Sequence, residues 1–210
     1  MSKMSEIKIR FNWNQDTLIA VGASKSGKTR FVKNLIKGCN RMIVLDTNYE
    51  YANLFKLKAV KNPLDIQVNT ALQTVDYSLK TLNNFIIASR RFTDCLVIYE
   101  DIDLFLKNVP PDELRAFQIN GRHQNLGQIG ISHRLIGLPL LMLQKADYLA
   151  IWKISALLGQ NDVQKYRTAI PTLDLHKQLS RHSKIIYKMD SDVAIPIFYD
   201  KCSCEECKSN

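Results

Sequence analysis

The sequence predicts one α/β domain over residues 1–201, with a mostly parallel central sheet between two helical layers and a C-terminal β-hairpin. Short apolar runs alternate with amphipathic stretches along most of the chain. A glycine-rich segment joins the first apolar run to a helical stretch. Strands that are separated by helices pair in parallel, which favours a sheet covered on both faces.

Five apolar runs are predicted as strands: Thr17–Val21, 41–45, Cys95–Tyr99, 128–132 and 148–154. Helices are predicted over 30–37 and 75–91 and from about residue 110 onwards. The runs 184–188 and 193–198 flank a polar turn and predict the hairpin. Pro196 favours an edge position for its strand, because proline cannot donate a ladder hydrogen bond.

Composition excludes several classes of protein. The chain has 210 residues, 46% of them hydrophobic, which is too apolar for a disordered protein and sufficient for one core. The longest apolar run, 135–143, is far shorter than the ~20 residues of a membrane span. The polar N-terminus has no apolar segment typical of a secretory signal. We therefore expect an intracellular protein that is not itself transmembrane.

The positive charge is unevenly distributed. The formal net charge is +9. Basic residues concentrate in 25–41, 115–145 and 165–188, whereas acidic residues concentrate in 94–113. Such stretches are typical of proteins that bind polyanions, either nucleotide phosphates or a nucleic-acid backbone. An ordinary solvated surface is the alternative, which charge alone does not reject.

The cysteines do not predict a disulfide framework. Their number, five, is odd, and Cys39 and Cys95 lie in apolar surroundings typical of buried thiols. The other three lie in the tail 202–210: Cys202, Cys204 and Cys207. With His176 or His182 they offer four zinc ligands, but the paired spacing of a typical zinc site is missing. A solvated tail is the favoured interpretation.

The segment after the first predicted strand matches the phosphate-binding pattern G-x-x-x-x-G-K-[ST]. Its eight residues are Gly22, Ala23, Ser24, Lys25, Ser26, Gly27, Lys28 and Thr29. The glycines let backbone N–H groups point at phosphates, and the helix N-terminus adds its positive dipole. Lys28 is expected to contact the β- and γ-phosphates, and the Thr29 hydroxyl to bind Mg²⁺. The strand–loop–helix context favours ATP or GTP binding over an incidental turn.

Two carboxylates, Glu100 and Asp101, follow the apolar run Cys95–Tyr99. A strand beside the phosphate loop places its terminal acids near the metal and the attacking water. By position, Glu100 is expected to serve Mg²⁺ and Asp101 the water, although which of the two is the catalytic base stays open. Asp103 is the fallback for either role, or an ordinary charge at a helix N-terminus.

Polar residues surround the fourth predicted strand. His133 or Ser132, where that strand ends, is placed to sense a γ-phosphate. Arg122, before the strand, is a candidate arginine finger acting on a neighbouring subunit. Taken singly, the arginine is more often a surface charge and the histidine a hydrogen-bonded strand end.

Together these motifs resemble the FtsK/HerA superfamily of DNA-pumping P-loop ATPases, including the genome-packaging ATPases of membrane-containing double-stranded DNA viruses. Four blocks match in order: the phosphate loop, 44–51, 96–101, and Gly121-Arg122 with 131–134. The chain departs from the family in having Glu100-Asp101 where Asp-Glu is usual. His133 stands where the family has glutamine.

The resemblance implies a RecA-like (ASCE) P-loop NTPase fold that uses ATP and Mg²⁺. It implies that Arg122 is the finger and Arg134 a second candidate, with Asp46 and Glu50 along the nucleotide-side edge of the sheet. It also implies a homo-oligomer, expected as a hexameric ring around double-stranded DNA. Capsid or membrane-vertex proteins are expected partners, in the host cytoplasm or virion.

Two other classes of function are weaker. A small-molecule kinase would need an acceptor pocket and an arginine-rich lid, which the motifs do not indicate. A GTPase switch would carry Asn-Lys-x-Asp and Asp-x-x-Gly, and neither occurs in the sequence. The predicted function is an ATP-driven motor that pumps double-stranded DNA into a capsid.

Overall fold

The computed structural model describes residues 10–106, 112–135, 137–153, 166–190 and 193–200, with only the backbone given for 117–120, 122, 190, 193 and 198–200. Within these ranges nine strands form one sheet. They are β1 (Thr17–Val21), β2 (Met42–Asp46), β3 (Lys58–Val60), β4 (Thr70–Gln73), β5 (Cys95–Tyr99), β6 (Leu126–Ser132), β7 (Tyr148–Trp152), β8 (Lys184–Asp190) and β9 (Val193–Asp200).

The strand order is β3-β4-β2-β5-β6-β1-β7-β8-β9. The first seven strands pair in parallel, and β8 and β9 are antiparallel. Every residue of β1, β2, β5 and β6 is buried, as strands covered on both faces require. Pro196 lies in the edge strand β9, opposite Tyr187 and beside a register shift, where a missing N–H is tolerated.

Helices cover both faces of the sheet. They are α1 (Lys28–Leu35), α2 (Tyr51–Phe55), α3 (Leu79–Ser89), α4 (Asp112–Asn120) and α5 (Leu140–Lys145). Val32 and Tyr51, from α1 and α2, belong to one apolar cluster, whereas Phe85, Leu114 and Met142, from α3, α4 and α5, belong to the other. The α/β fold with a mostly parallel sheet and a terminal hairpin is therefore confirmed.

The boundaries differ in places from the sequence prediction. Helix α1 begins at Lys28 rather than at residue 30, and α3 begins later than predicted because the Ser78 side chain accepts a hydrogen bond from the Thr81 N–H as its N-cap. The sequence prediction missed β3, β4 and α2, which are too short to show a clear period. The tail 202–210 lies outside the described residues. Among the described helices, none combines the length and apolar character that a membrane crossing needs.

Candidate active site

The candidate site lies where the parallel strands β1, β2, β5 and β6 end. Because parallel strands point the same way, the residues after each of them meet at one edge of the sheet. The strand ends are level: the Glu100 N–H donates to the Leu45 carbonyl at 3.1 Å, and the Gly22 N–H donates to the Ser132 carbonyl at 3.2 Å. This register brings together the phosphate loop, the two carboxylates and the predicted sensor.

Two glycines shape the phosphate loop. Gly27 has φ 96°, a left-handed conformation that favours glycine, immediately before α1 begins. A Cβ on Gly22 would lie 2.6 Å from the Cβ of Trp152, so the loop can pass this close to β7 only without a side chain there. The loop therefore curls at the N-terminus of α1, where backbone N–H groups favour anions.

Lys28 is buried at the centre of the loop. Its Nζ donates to the carbonyls of Gly22 at 2.7 Å and Ala23 at 3.0 Å, and lies 3.3 Å from Nδ1 of His133. Burial lowers the pKa of Lys28, although the negative charges of Asp101 and Glu100 oppose that effect. The ammonium group thus already lies between the loop and the residues that follow β5 and β6.

Thr29 and Glu100 form a direct pair. The Thr29 hydroxyl donates to Oε1 of Glu100 at 3.0 Å. The other oxygen, Oε2, is buried and has no well-formed hydrogen bond to a described residue, although the Tyr51 hydroxyl is near enough to stabilise the charged carboxylate. Burial, reinforced by the charge of Asp101, raises the pKa of Glu100 to about 7. A hydroxyl and a carboxylate with one free oxygen are hard ligands of the kind that Mg²⁺ prefers.

Asp101 is held differently from its neighbour. Its Oδ1 lies 2.7 Å from Nε2 of His133, and its Oδ2 accepts from the Thr47 hydroxyl at 3.1 Å and the Asn48 amide at 3.0 Å. Burial alone would raise the pKa of Asp101, but these hydrogen bonds together lower it. The two adjacent carboxyls therefore have pKa values displaced in opposite directions, which separates their chemical roles.

His133 connects the lysine and the carboxylate. Its Nε2 faces Asp101 and its Nδ1 faces Lys28, which is the arrangement of an imidazole that donates to one and accepts from the other. Oδ1 of Asp103 accepts from the His133 backbone N–H at 3.0 Å. Asp103 thus holds this turn, and it also lies in the first turn of the 3₁₀ helix Ile102–Leu104, where an ordinary charge was the alternative prediction.

Of the two predicted sensors, only His133 turns towards the loop lysine. The Ser132 hydroxyl donates to the Arg134 carbonyl at 2.6 Å and accepts from the Arg134 N–H at 3.1 Å. It therefore closes a local turn after β6. Arg134 itself is exposed beside the site.

Asp46, the last residue of β2, and Glu50, which follows the strand, make different contacts. The Asp46 carboxylate accepts from the backbone N–H groups of Glu50, Tyr51 and Ala52, and so caps the start of α2 instead of facing the cleft. Glu50 forms an ion pair with Lys33 and does line the cleft. Asp46 lies at the predicted edge of the sheet, but its oxygens are occupied by the helix.

Arg122 lies far from its own phosphate loop. Its backbone is in the 3₁₀ turn Gly121–Gln124, before β6 begins, whereas the loop lies where β6 ends. At about 3.3 Å per residue, the seven residues of β6 separate the two by roughly 20 Å. The Arg122 side chain lies outside the described residues.

A cleft of about 380 Å³ opens between these elements. It is lined by Ser24, Lys25, Ser26, Gly27, Lys28, Thr29, Arg30, Asn48, Glu50, Glu100 and His133. Six of the eight motif residues, Lys28 among them, thus share one cavity with Glu100 and His133. The cleft can bind a polyphosphate, and its wall carries Glu100 and His133, the residue that contacts Asp101.

Sequence reasoning missed a further segment at this site. Arg181 Nη2 lies 3.5 Å from the Ser24 carbonyl and His182 Nε2 lies 3.2 Å from the Lys25 carbonyl. These residues are 157 positions apart along the chain, so no local pattern could have paired them. Thr47 and Asn48 were also missed, although they lie within a motif block.

The histidines proposed as zinc ligands have other partners. His176 is buried, its Nε2 lies 2.6 Å from the Tyr187 hydroxyl, and burial lowers its pKa to about 4. Within the described ranges, no group of three His, Cys, Asp or Glu side chains is placed to hold a metal ion. The three tail cysteines lie outside those ranges. Cys95 is buried and Cys39 is half-buried.

Part of the third basic stretch is already neutralised. Asp174 pairs with both Arg167 and Lys177. The Lys184 ammonium lies over the rings of Phe31 and Trp152, at 5.4 and 5.8 Å from their centroids. Arg181 and Lys188 remain exposed. The charge that 165–188 offers to a polyanion is therefore smaller than its sequence indicates.

Solved structures share this architecture. The genome-packaging NTPase B204 from Sulfolobus turreted icosahedral virus 2, in complex with AMPPCP, is 17% identical with a TM-score of 0.73, over 90% of this chain and 98% of that chain. B204 from Sulfolobus turreted icosahedral virus, described as the DNA-packaging ATPase, is 16% identical with a TM-score of 0.67, over 90% and 99%. The chain has a P-loop NTPase fold. VirB4 of Thermoanaerobacter pseudethanolicus also shares it, at 10% identity and a TM-score of 0.66, over 92% and 91%.

The P-loop fold gives the motifs their expected structural context. The phosphate-loop pattern follows β1 and opens α1, and the two carboxylates follow the buried strand β5, which β6 separates from β1. These neighbours support the FtsK/HerA-type resemblance at the level of fold. No family model matches the sequence, and no curated protein matches it.

Proposed function

We propose that this chain is an ATP-driven motor that translocates double-stranded DNA, acting as a viral genome-packaging ATPase that pumps DNA into a capsid. The observation that carries the proposal is that Lys28, the Thr29–Glu100 pair and His133 line one cleft, with Asp101 in contact with His133. These are the groups that phosphoryl transfer to water requires: a phosphate clamp, a metal site and a base.

The cofactors of the proposal are ATP and Mg²⁺. Thr29 and Glu100 would hold the metal, because the hydroxyl and carboxylate lie 3.0 Å apart and Oε2 of Glu100 is left without a well-formed hydrogen bond to a described residue. Bound there, Mg²⁺ would neutralise charge on the phosphates. Structural neighbours crystallised with AMPPCP and ATP-gammaS support ATP as the nucleotide.

The chain's own residues divide the remaining chemistry. The loop residues Gly22–Thr29 cradle the phosphates through backbone N–H groups, and Lys28 supplies positive charge to them. Asp101 accepts the proton of the attacking water, since its hydrogen bonds keep it ionised and Glu100 is committed to the metal side. His133 orients Asp101 through Nε2 and contacts the phosphate end of the cleft.

The position of Arg122 supports action between subunits. A side chain cannot cross roughly 20 Å of its own sheet, so an arginine finger at this position must act on a neighbour. We therefore propose a homo-oligomer, in hexameric ring form, with double-stranded DNA in its channel. Arg134 is the second candidate, since it is exposed beside its own cleft. Capsid or membrane-vertex proteins complete the proposed assembly, in the host cytoplasm or virion.

The decisive experiment measures ATP hydrolysis and assembly state together, with and without double-stranded DNA. We expect hydrolysis to rise with DNA and oligomers to form with ATP. The matched control is Lys28→Ala, which should be inactive in both conditions. DNA affinity should also fall steeply with salt, because bound Lys and Arg release counterions. A protein that hydrolyses ATP as a monomer, indifferent to DNA, would refute the motor and leave a small-molecule kinase as the better interpretation.

A further inference from the structure

We infer that Thr47 and Asn48, the two residues after Asp46 at the end of β2, are positioning residues that together hold the Asp101 carboxylate in its working orientation. The inference rests on the proposed ATP hydrolysis, because it names the residues that align the base for that reaction. The sequence motifs assign no role to either residue.

Both side chains donate to one atom. The Thr47 hydroxyl lies 3.1 Å and the Asn48 amide 3.0 Å from Oδ2 of Asp101. His133 Nε2 contacts the other oxygen, Oδ1, at 2.7 Å. The two hydrogen bonds to Oδ2 restrict rotation about the Cβ–Cγ bond more than the histidine contact at Oδ1 does alone. Since a base must keep a lone pair aimed at the attacking water, this rotation matters for the rate.

The backbone brings these residues together from separate strands. The Glu100 N–H donates to the Leu45 carbonyl at 3.1 Å, so the residues that follow β2 and β5 lie side by side. Asp101 then adopts φ 48°, in the left-handed region that few non-glycine residues occupy. A conformation of this kind persists when its surroundings hold it, and the contacts from Thr47 and Asn48 supply part of that support.

The two donors differ in exposure: Thr47 is buried, whereas Asn48 is exposed to the cleft. Thr47 is 4% exposed, so its hydroxyl has little competition from water for the hydrogen bond to Asp101. Asn48 is exposed and lines the cleft beside Glu100 and His133. Its amide reaches Asp101 from the side on which the phosphate end of a nucleotide would lie.

The test uses substitutions that keep shape and remove the hydrogen bond. Thr47→Val replaces the hydroxyl with a methyl group, and Asn48→Leu replaces the amide with an uncharged group of similar size that donates no hydrogen bond. We expect each to lower kcat about tenfold or more, with the Kd for ATP unchanged within about threefold, because neither residue belongs to the phosphate loop. Thr47→Ser keeps the hydroxyl and should retain kcat within about twofold.

Two further variants make the result specific. Asn34→Ala removes an exposed asparagine from α1, away from Asp101, and should leave kcat unchanged. The double variant Thr47→Val/Asn48→Leu should be at most about threefold slower than the slower single variant, because both changes release the same oxygen. Circular dichroism and thermal melts should show folded protein in each case.

Several results would overturn the inference. Wild-type kcat in both single variants would do so, as would a loss in the double variant equal to the product of the single losses. If the Kd for ATP rises by the same factor as kcat falls, these residues would instead be assigned to nucleotide binding. If the wild-type chain hydrolyses no ATP, the proposed function is wrong and the inference falls with it. If the wild type hydrolyses ATP and the variants behave like it, only the inference is wrong.

Discussion

Glu100 gives the sharpest physical prediction, because its carboxyl is buried beside a second carboxylate. The residue is 1% exposed, and its pKa rises from the ordinary value of 4.5 to about 7. Since the folded pKa lies above the unfolded one, the unfolded chain ionises first as the pH rises. The ionised form therefore destabilises the fold, to an extent that grows between pH 4.5 and 7 and is constant above that range.

The magnitude follows from linkage. Each unit of difference between folded and unfolded pKa values is worth about 1.4 kcal/mol, so ionised Glu100 costs roughly 3 kcal/mol at pH 8. At pH 5 the same cost is below about 1 kcal/mol, because the folded carboxyl is still protonated. Glu100→Gln keeps the size and the acceptor for Thr29 but does not ionise. The variant should therefore gain roughly 2 to 3 kcal/mol relative to wild type between pH 5 and pH 8.

The assay is urea unfolding of both proteins at pH 5 and pH 8, followed by fluorescence of the two tryptophans, in buffer with EDTA and without nucleotide. Glu50→Gln is the control. It removes an exposed carboxylate whose ion pair with Lys33 is screened by solvent, and should change the free energy of unfolding by less than about 1 kcal/mol at either pH. A Glu100→Gln stability difference that is equal at both pH values would refute the reasoning about burial.

The other predictions concern the loop and the subunit boundary. Lys28→Ala should reduce ATP hydrolysis at least about a hundredfold in a phosphate-release assay, since the charge at the centre of the cleft is lost; an unchanged rate would contradict the phosphate-loop assignment. Mixing inactive Arg122→Ala subunits with inactive Asp101→Ala subunits should restore part of the activity, because some boundaries then combine an intact finger with an intact base; no recovery at any ratio would argue against action in trans. Gly22→Ala should lower the free energy of unfolding by about 1 to 3 kcal/mol in urea titrations, since the new Cβ would lie 2.6 Å from that of Trp152; full stability would show that the loop can move away from β7.

The sequence predicted the parts of the site that are contiguous in the chain. The phosphate loop is a local structure, and its glycines and lysine are fixed by spacing alone. The buried strand β5 was recognisable from five apolar residues, and its register delivers Glu100 and Asp101 to the sheet edge wherever that edge lies. The overall order of strands and helices followed from periodicity, whereas elements of three to five residues such as β3 and α2 were missed because they are shorter than one clear period.

Contacts between strands depended on tertiary structure. His133 rather than Ser132 faces Lys28, because the Ser132 hydroxyl is hydrogen-bonded to the Arg134 carbonyl. Asp46, expected along the nucleotide side, caps α2 because a helix start lies within its reach.

By itself, the sequence determined the P-loop fold and the positions of the phosphate-loop motif, because local spacing and period decide both. Only the tertiary structure decided how the two carboxylates differ. Thr29 pairs with Glu100, while Thr47 and Asn48 reach Asp101 from another strand. Glu100 and Asp101 lie in the turn after β5, where Asp101 adopts φ 48°, so the two side chains meet neighbours from different segments of the chain. Which neighbour each carboxylate meets depends on strand order and register, which no single segment specifies.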